Sequence, residues 1–129
     1  MIAALIFLLA APADATDCDG DSPQQMLNIC AANAAESADA EMNAQWKLTA
    51  AEMKRRDSEI DRKDDHEPGY FETLLASQRA WLTYRDRQCL LESFEMRGGS
   101  GAPQIHGGCM HRLTRDRLAQ LKALIETGN

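Results

Sequence analysis

The stretch Gln78–Cys89, QRAWLTYRDRQC, decides how this chain folds. Leu75, Gln78, Leu82, Arg85 and Cys89 recur at three- and four-residue intervals, which puts them on one face of a helix. An arginine on a face otherwise fit for burial must meet an acceptor, because an unpaired buried guanidinium is very costly. The segment therefore demands a partner from elsewhere in the chain, and Arg85 reads as the one charge of the interior.

The candidate partner lies upstream in Ala38–Trp46, ADAEMNAQW, where Asp39 and Asn43 are four apart on one side of a helix. An antiparallel helical hairpin brings Asp39 within reach of Arg85. The set Asp39, Asn43, Gln78 and Arg85 could form a binding site or a structural polar network. The network is favoured, because it would fix the register of two helices whose apolar seam is thin. Trp81 reads in the same way as a core residue rather than a ligand platform.

Helix punctuation extends the pattern outward. Ser22-Pro23-Gln24-Gln25 predicts a helix start, with Ser22 as the cap and Pro23 in the first turn. No Gly or Pro follows until Pro68, so the first helix is expected to run to about Asp61. Its apolar seam comprises Met26, Ile29, Cys30, Ala34, Ala38, Met42, Trp46, Thr49, Met53 and Ile60. The charged segment Arg62–Gly69 predicts the turn of the hairpin. A second helix is expected from about Pro68 to Met96, with apolar residues on more than one face and contacts to both neighbours. Gly98 to Gly108 reads as a loop, and a last helix is expected from about Ile105 to Glu126. No segment alternates as a strand would. The expected fold is all-α, a three-helix arrangement with a long antiparallel hairpin and two disulfides.

Downstream of the hairpin, Gly98-Gly99-Ser100 precedes Cys109 and then Leu113-Thr114-Arg115-Asp116-Arg117-Leu118. Together, ADxxMN, QRAWLxYRDxxC, GGS and CxxxLTxxRLxxL resemble the small secreted domain at the N-terminus of LprI-type lysozyme inhibitors. The resemblance spans nearly all of the chain after its leader. It departs mildly at Met42, where the family usually has leucine, and at Trp46, where it usually has tyrosine. The resemblance implies a non-catalytic protein that binds a cationic muramidase without covalent chemistry.

Composition sets the compartment. Residues Met1 to Ala11 are almost wholly apolar and Ala13-Asp14-Ala15 offers a small-x-small cleavage site, so residues 1–15 read as a secretory signal peptide. Ala15-Thr16-Asp17 before Cys18 does not suit a lipoprotein signal, which favours a periplasmic or secreted protein with no membrane insertion after cleavage. Removing 15 of the 129 residues leaves 114, a single domain over 16–129. The full chain carries 14 Lys and Arg against 20 Asp and Glu, a net charge of −6, which becomes −5 with Asp14 gone. Such a balance argues against nucleic acid, whose binding relies on cationic side chains. It would also suit a cationic protein partner through long-range steering, such as the lysozyme that the resemblance implies, although solubility alone is the favoured reading of an acidic surface.

Four cysteines, Cys18, Cys30, Cys89 and Cys109, predict two disulfides in an oxidising compartment. The favoured pairing joins Cys89 to Cys109 across the Gly-rich loop and Cys18 to Cys30 at the chain's start. Cys30 with Cys89 and Cys18 with Cys109 is the next choice. No metal or other cofactor is expected. His66, His106 and His111 read as solvated, and an oxidised Cys109 cannot ligate. Asp17, Asp19 and Asp21 alternate like a calcium loop, but the glycine is at the wrong position and no glutamate closes it. No nucleophile motif or phosphate-cradling loop occurs, so an enzyme is not indicated. Arg97, Gly98, Gly99 and Ser100 head a candidate binding loop running to Gln104. The competing reading makes Gly98 a helix cap and the remainder a spacer. The alternative function is a non-catalytic envelope adaptor that binds another periplasmic protein.

Overall fold

The computed structural model describes residues 18–126, so the expected leader lies outside the described residues. Three helices follow one another: α1 (Gln24–Ser58), α2 (Tyr70–Ser93) and α3 (Ala102–Glu126), with a 3-10 turn at Phe94–Met96. Among the described residues there is no strand. Cross-helix contacts give the directions. Asp39 meets Arg85, and Lys54 lies over the Phe71 ring, so α1 and α2 run antiparallel as the hairpin reading expected. Gln24 meets Gln104, Glu41 meets Arg115, and Thr49 bonds the Leu121 carbonyl, so α1 and α3 run parallel.

The most extensive packing joins α1 to α3, which are not neighbours in sequence. Gly107 permits it. A Cβ there would stand 2.8 Å from the carbonyl carbon of Ala31, so the two helix backbones touch where side chains would otherwise hold them apart. The core beneath this contact holds Met42, Ala50, Met53, Leu74, Leu118 and Leu121, with Trp46, Phe71, Trp81 and Ile125 packed against it. Such a small core leaves much of the work to the disulfides, Cys18–Cys30 and Cys89–Cys109, which are the favoured pairing.

Several boundaries differ from the sequence reading. α1 begins at Gln24 with Pro23 in the capping position, while the Ser22 hydroxyl bonds the Asp19 carboxylate. It ends at Ser58 rather than near Asp61. α3 begins three residues earlier than expected, because the Gly101 carbonyl accepts from the amides of Gln104 and Ile105. Pro103 fits the first turn, where its missing N–H has no intrahelical partner to lose. Gly107 and Gly108 therefore lie within α3, and the predicted Gly98–Gly108 loop shrinks to the short connection 97–101.

Of the expected seam of α1, Ala38, Met42, Thr49 and Met53 are buried, Trp46 and Ile60 are half-buried, and Met26, Ile29 and Ala34 are exposed. On α2, Tyr70, Tyr84, Leu90 and Leu91 also face outward, as does Phe94 in the 3-10 turn, although the helix does contact both neighbours. Three helices offer α2 two flanks to cover, and its third side stays open.

α1 has a polar circumference along its last turns, where ion pairs support it. Arg55 and Arg56 both reach Glu52, and Arg55 also reaches Glu59, three and four residues away. These two arginines complement the negative end of the helix dipole.

Candidate functional site

Arg85 is 8% exposed and sits at the centre of the bundle's polar layer. Its Nη1 donates to Asp39 Oδ1 at 2.9 Å and to Thr114 Oγ1 at 3.2 Å, which ties α2 to both other helices. Its Nε donates to Asp86 Oδ1 at 3.1 Å, and its guanidinium lies 5.1 Å from the centre of the Trp81 ring. Asn43 joins at the margin, donating to Asp39 at 3.4 Å from an exposed position.

Gln78 belongs to a different partnership. Its Oε1 accepts from Arg117 Nε at 2.9 Å, and its amide nitrogen faces Met42 Sδ at 3.8 Å. Arg117 is 7% exposed, so Arg85 is not the only interior charge. The oxygens that receive Arg117 are all neutral: Gln78 Oε1, Gln120 Oε1 and Ser77 Oγ. Burial pushes its guanidinium below the ordinary arginine value, yet an arginine of this kind stays protonated. Trp81 stands near both cations, 5.9 Å from Arg117. The sequence reading gave Arg117 no role, although it lies on the apolar face marked by Leu113, Leu118 and Leu121.

One end of the bundle carries both disulfides and the Arg97–Ser100 segment. Gln24 Nε2 donates to Asn28 and to Gln104, and Asn28 Nδ2 donates to the Ser100 carbonyl at 2.8 Å. The Arg97 guanidinium stacks 4.5 Å over Phe94, and Gly98 adopts φ 79°, the left-handed conformation of a helix-ending glycine. Gly101 is buried against Met96. The candidate loop is thus a short strap tied down along its length, without the reach the sequence suggested. Beside it, α1 and α2 leave an apolar groove over α3, lined by Ala32, Ala35, Leu90, Pro103, His106 and Met110.

The opposite end is organised by Asp57, which the sequence reading passed over. Its carboxylate accepts the backbone N–H groups of Tyr70 at 2.6 Å and Phe71 at 3.0 Å, so the end of α1 caps the start of α2. A negative charge there also meets the positive end of the α2 dipole. The connection 59–69 is held by Arg62 Nη1 donating to the Glu67 carbonyl and by the Asp65 carboxylate accepting the Glu67 N–H. Under it lies a cavity of about 560 Å³ whose lining includes Met53, Leu74, Tyr70 and Leu124, with Asp65 and Glu67 at the edge.

Among the described residues, no three His, Cys, Asp or Glu side chains converge so as to hold a metal ion. Among the same residues no helix is long and apolar enough to cross a membrane. The arrangement offers surfaces and a cavity for binding, built on a covalently clamped scaffold.

Comparison with known proteins agrees with that scaffold. The family model described as lysozyme inhibitor LprI matches residues 16–121. The chain is 43% identical over 127 residues to the uncharacterized protein R02472 of Rhizobium meliloti (strain 1021), covering 95% of this chain and 91% of that one. No solved structure matches. The match runs through both disulfides and all but the last turns of α3, and on that evidence the chain belongs to the LprI lysozyme inhibitor family.

Proposed function

We propose that this protein acts outside the cytoplasm, in the periplasm or secreted, as a non-catalytic inhibitor that binds a cationic muramidase. The observation that carries the reading is the extent of the family match, which takes in the whole clamped bundle rather than one motif. Two disulfides suit an exported protein. A net charge of −5 after removal of the leader supplies the field that draws a basic partner and speeds its approach. Both disulfides and the pinned 97–101 strap leave one end of the bundle little freedom to rearrange, a fixed base for a binding surface.

The test is a muramidase assay with the oxidised protein across a salt series. Inhibition at micromolar protein, weakening as salt screens exposed charges, is the expected result. No inhibition of either an animal or a bacterial lysozyme at that concentration overturns it. The groove over α3, with its small and apolar lining, favours a second reading as an envelope adaptor. Recovery of a muramidase from envelope extracts separates the two, because an adaptor would bring down another protein instead.

A further inference from the structure

The cavity at the hairpin end has a distinctive make-up. Its base is buried apolar surface from Met53 and Leu74, its walls include the half-exposed Tyr70 and Leu124, and its rim carries Asp65 and Glu67. No lysine or arginine lines it. The loop's own Arg62 is engaged elsewhere, bonded to the Glu67 carbonyl and 4.0 Å from Asp57. A volume of about 560 Å³ lies within the range of cavities that hold ligands, roughly 300–1,000 Å³.

Apolar depth beneath an anionic edge has one chemical complement. An uncharged side chain can desolvate against Met53 and Leu74, while cations beside it stay near water and meet the two carboxylates. Interfaces draw their energy from such buried anchors and their orientation from the charged rim. We propose that this cavity is the docking site for a basic protein segment, one apolar anchor residue flanked by lysine or arginine. The proposal rests on the reading of the protein as a binder of a cationic muramidase, and it assigns the contact to the hairpin end rather than to the 97–101 strap.

Two measurements test it and separate its failure from that of the wider reading. The first titrates the oxidised full chain with acetyl-Arg-Phe-Arg-amide and follows backbone amide signals by NMR. The expected shifts centre on Gly69, Tyr70, Thr73, Ser77 and Leu124, and they are largely absent with the Glu-Phe-Glu and Arg-Gly-Arg analogues. Shifts that are missing there, or equal for the acidic analogue, overturn the proposal.

The second measures muramidase inhibition by Glu67→Lys and by Glu36→Lys. Both alter net charge equally, but Glu36 lies about 25 Å from Met53 along α1. Glu67→Lys should weaken inhibition by roughly tenfold and Glu36→Lys by less than about threefold. Equal losses, or wild-type potency in Glu67→Lys, overturn the docking site while leaving inhibition intact. A protein that binds the basic peptide as expected but inhibits no muramidase keeps the docking site and loses the wider reading.

Discussion

Replacing Arg85 by alanine should lower the stability of the bundle by about 2–4 kcal/mol, and the structure allows the figure to be built from parts. The Asp39 side chain that receives Nη1 is 43% exposed, so water takes over much of that role and the loss there is about 1 kcal/mol. Asp86 is more exposed still and contributes little. Thr114 is different. At 1% exposure its hydroxyl has no access to water, and losing a charged donor there costs about 1–2 kcal/mol. Leaving the face of Trp81 removes roughly another 0.5–1 kcal/mol. For a domain of this size the sum corresponds to a fall in Tm of roughly 8–16 °C. Far-UV circular dichroism on the oxidised protein gives the measurement, and Thr114→Val in both backgrounds isolates the buried contact. A Tm for Arg85→Ala within about 2 °C of wild type refutes the argument that this arginine ties three helices together.

Asp57→Ala should cost about 1–2 kcal/mol and accelerate hydrogen exchange at the Tyr70 and Phe71 amides; unchanged exchange there removes the cap. Gly107→Ala and Gly108→Ala should have opposite signs. The former drives a Cβ into the Ala31 backbone at a cost of about 1–3 kcal/mol, whereas the latter meets open space and gains up to about 1 kcal/mol of helix propensity. Equal urea midpoints for the pair contradict the close approach of α1 and α3. Hydrogen bonds from Arg55 first, then Arg56, hold Glu52 at about 2, below the ordinary carboxylate value of 4.5. A depressed value means that this contribution is complete above 4.5 and fades as pH falls toward 2. The Tm difference between wild type and Glu52→Gln should therefore narrow on acidification across that window, and a constant difference refutes it.

The helices and their pairing were legible because their determinants are local or strongly patterned. Arg85, spaced with Leu82 and Cys89 on a face fit for burial, could be read as needing an acceptor, and Asp39 stood at a matching position upstream. The same logic applied to Arg117, between Leu113 and Leu121, yet its neutral acceptors carry no charge to draw attention. Gln78 was grouped with Arg85 because both share the α2 face, whereas its oxygen is claimed by a residue 39 positions away on α3. Asp57 offered no sign at all, since a cap contributed 13 residues upstream depends on how the connection folds back. The start of α3 differs from the expectation because Gly and Pro signal loops in most settings. Pro103 is tolerated in a first turn, and Gly107 is there to let another helix close in. The cavity under the 59–69 connection was invisible for a related reason. Met53, Leu74 and Leu124 come from three helices, and only the assembled bundle shows that their tips leave space between them.

The two sulfur–sulfur links share one pole of the molecule, near Ala31 and Gly107, while the pole around Met53 and Leu124 is held by apolar packing, hydrogen bonds and ion pairs without a covalent tie. Thermal breathing must then be polarised, starting at the unstitched tip and dying out toward the rivets, as in a pair of tongs joined at the hinge. Whatever settles between the jaws braces the part of the bundle that has no sulfur rivet, so occupancy should add most of its protection there.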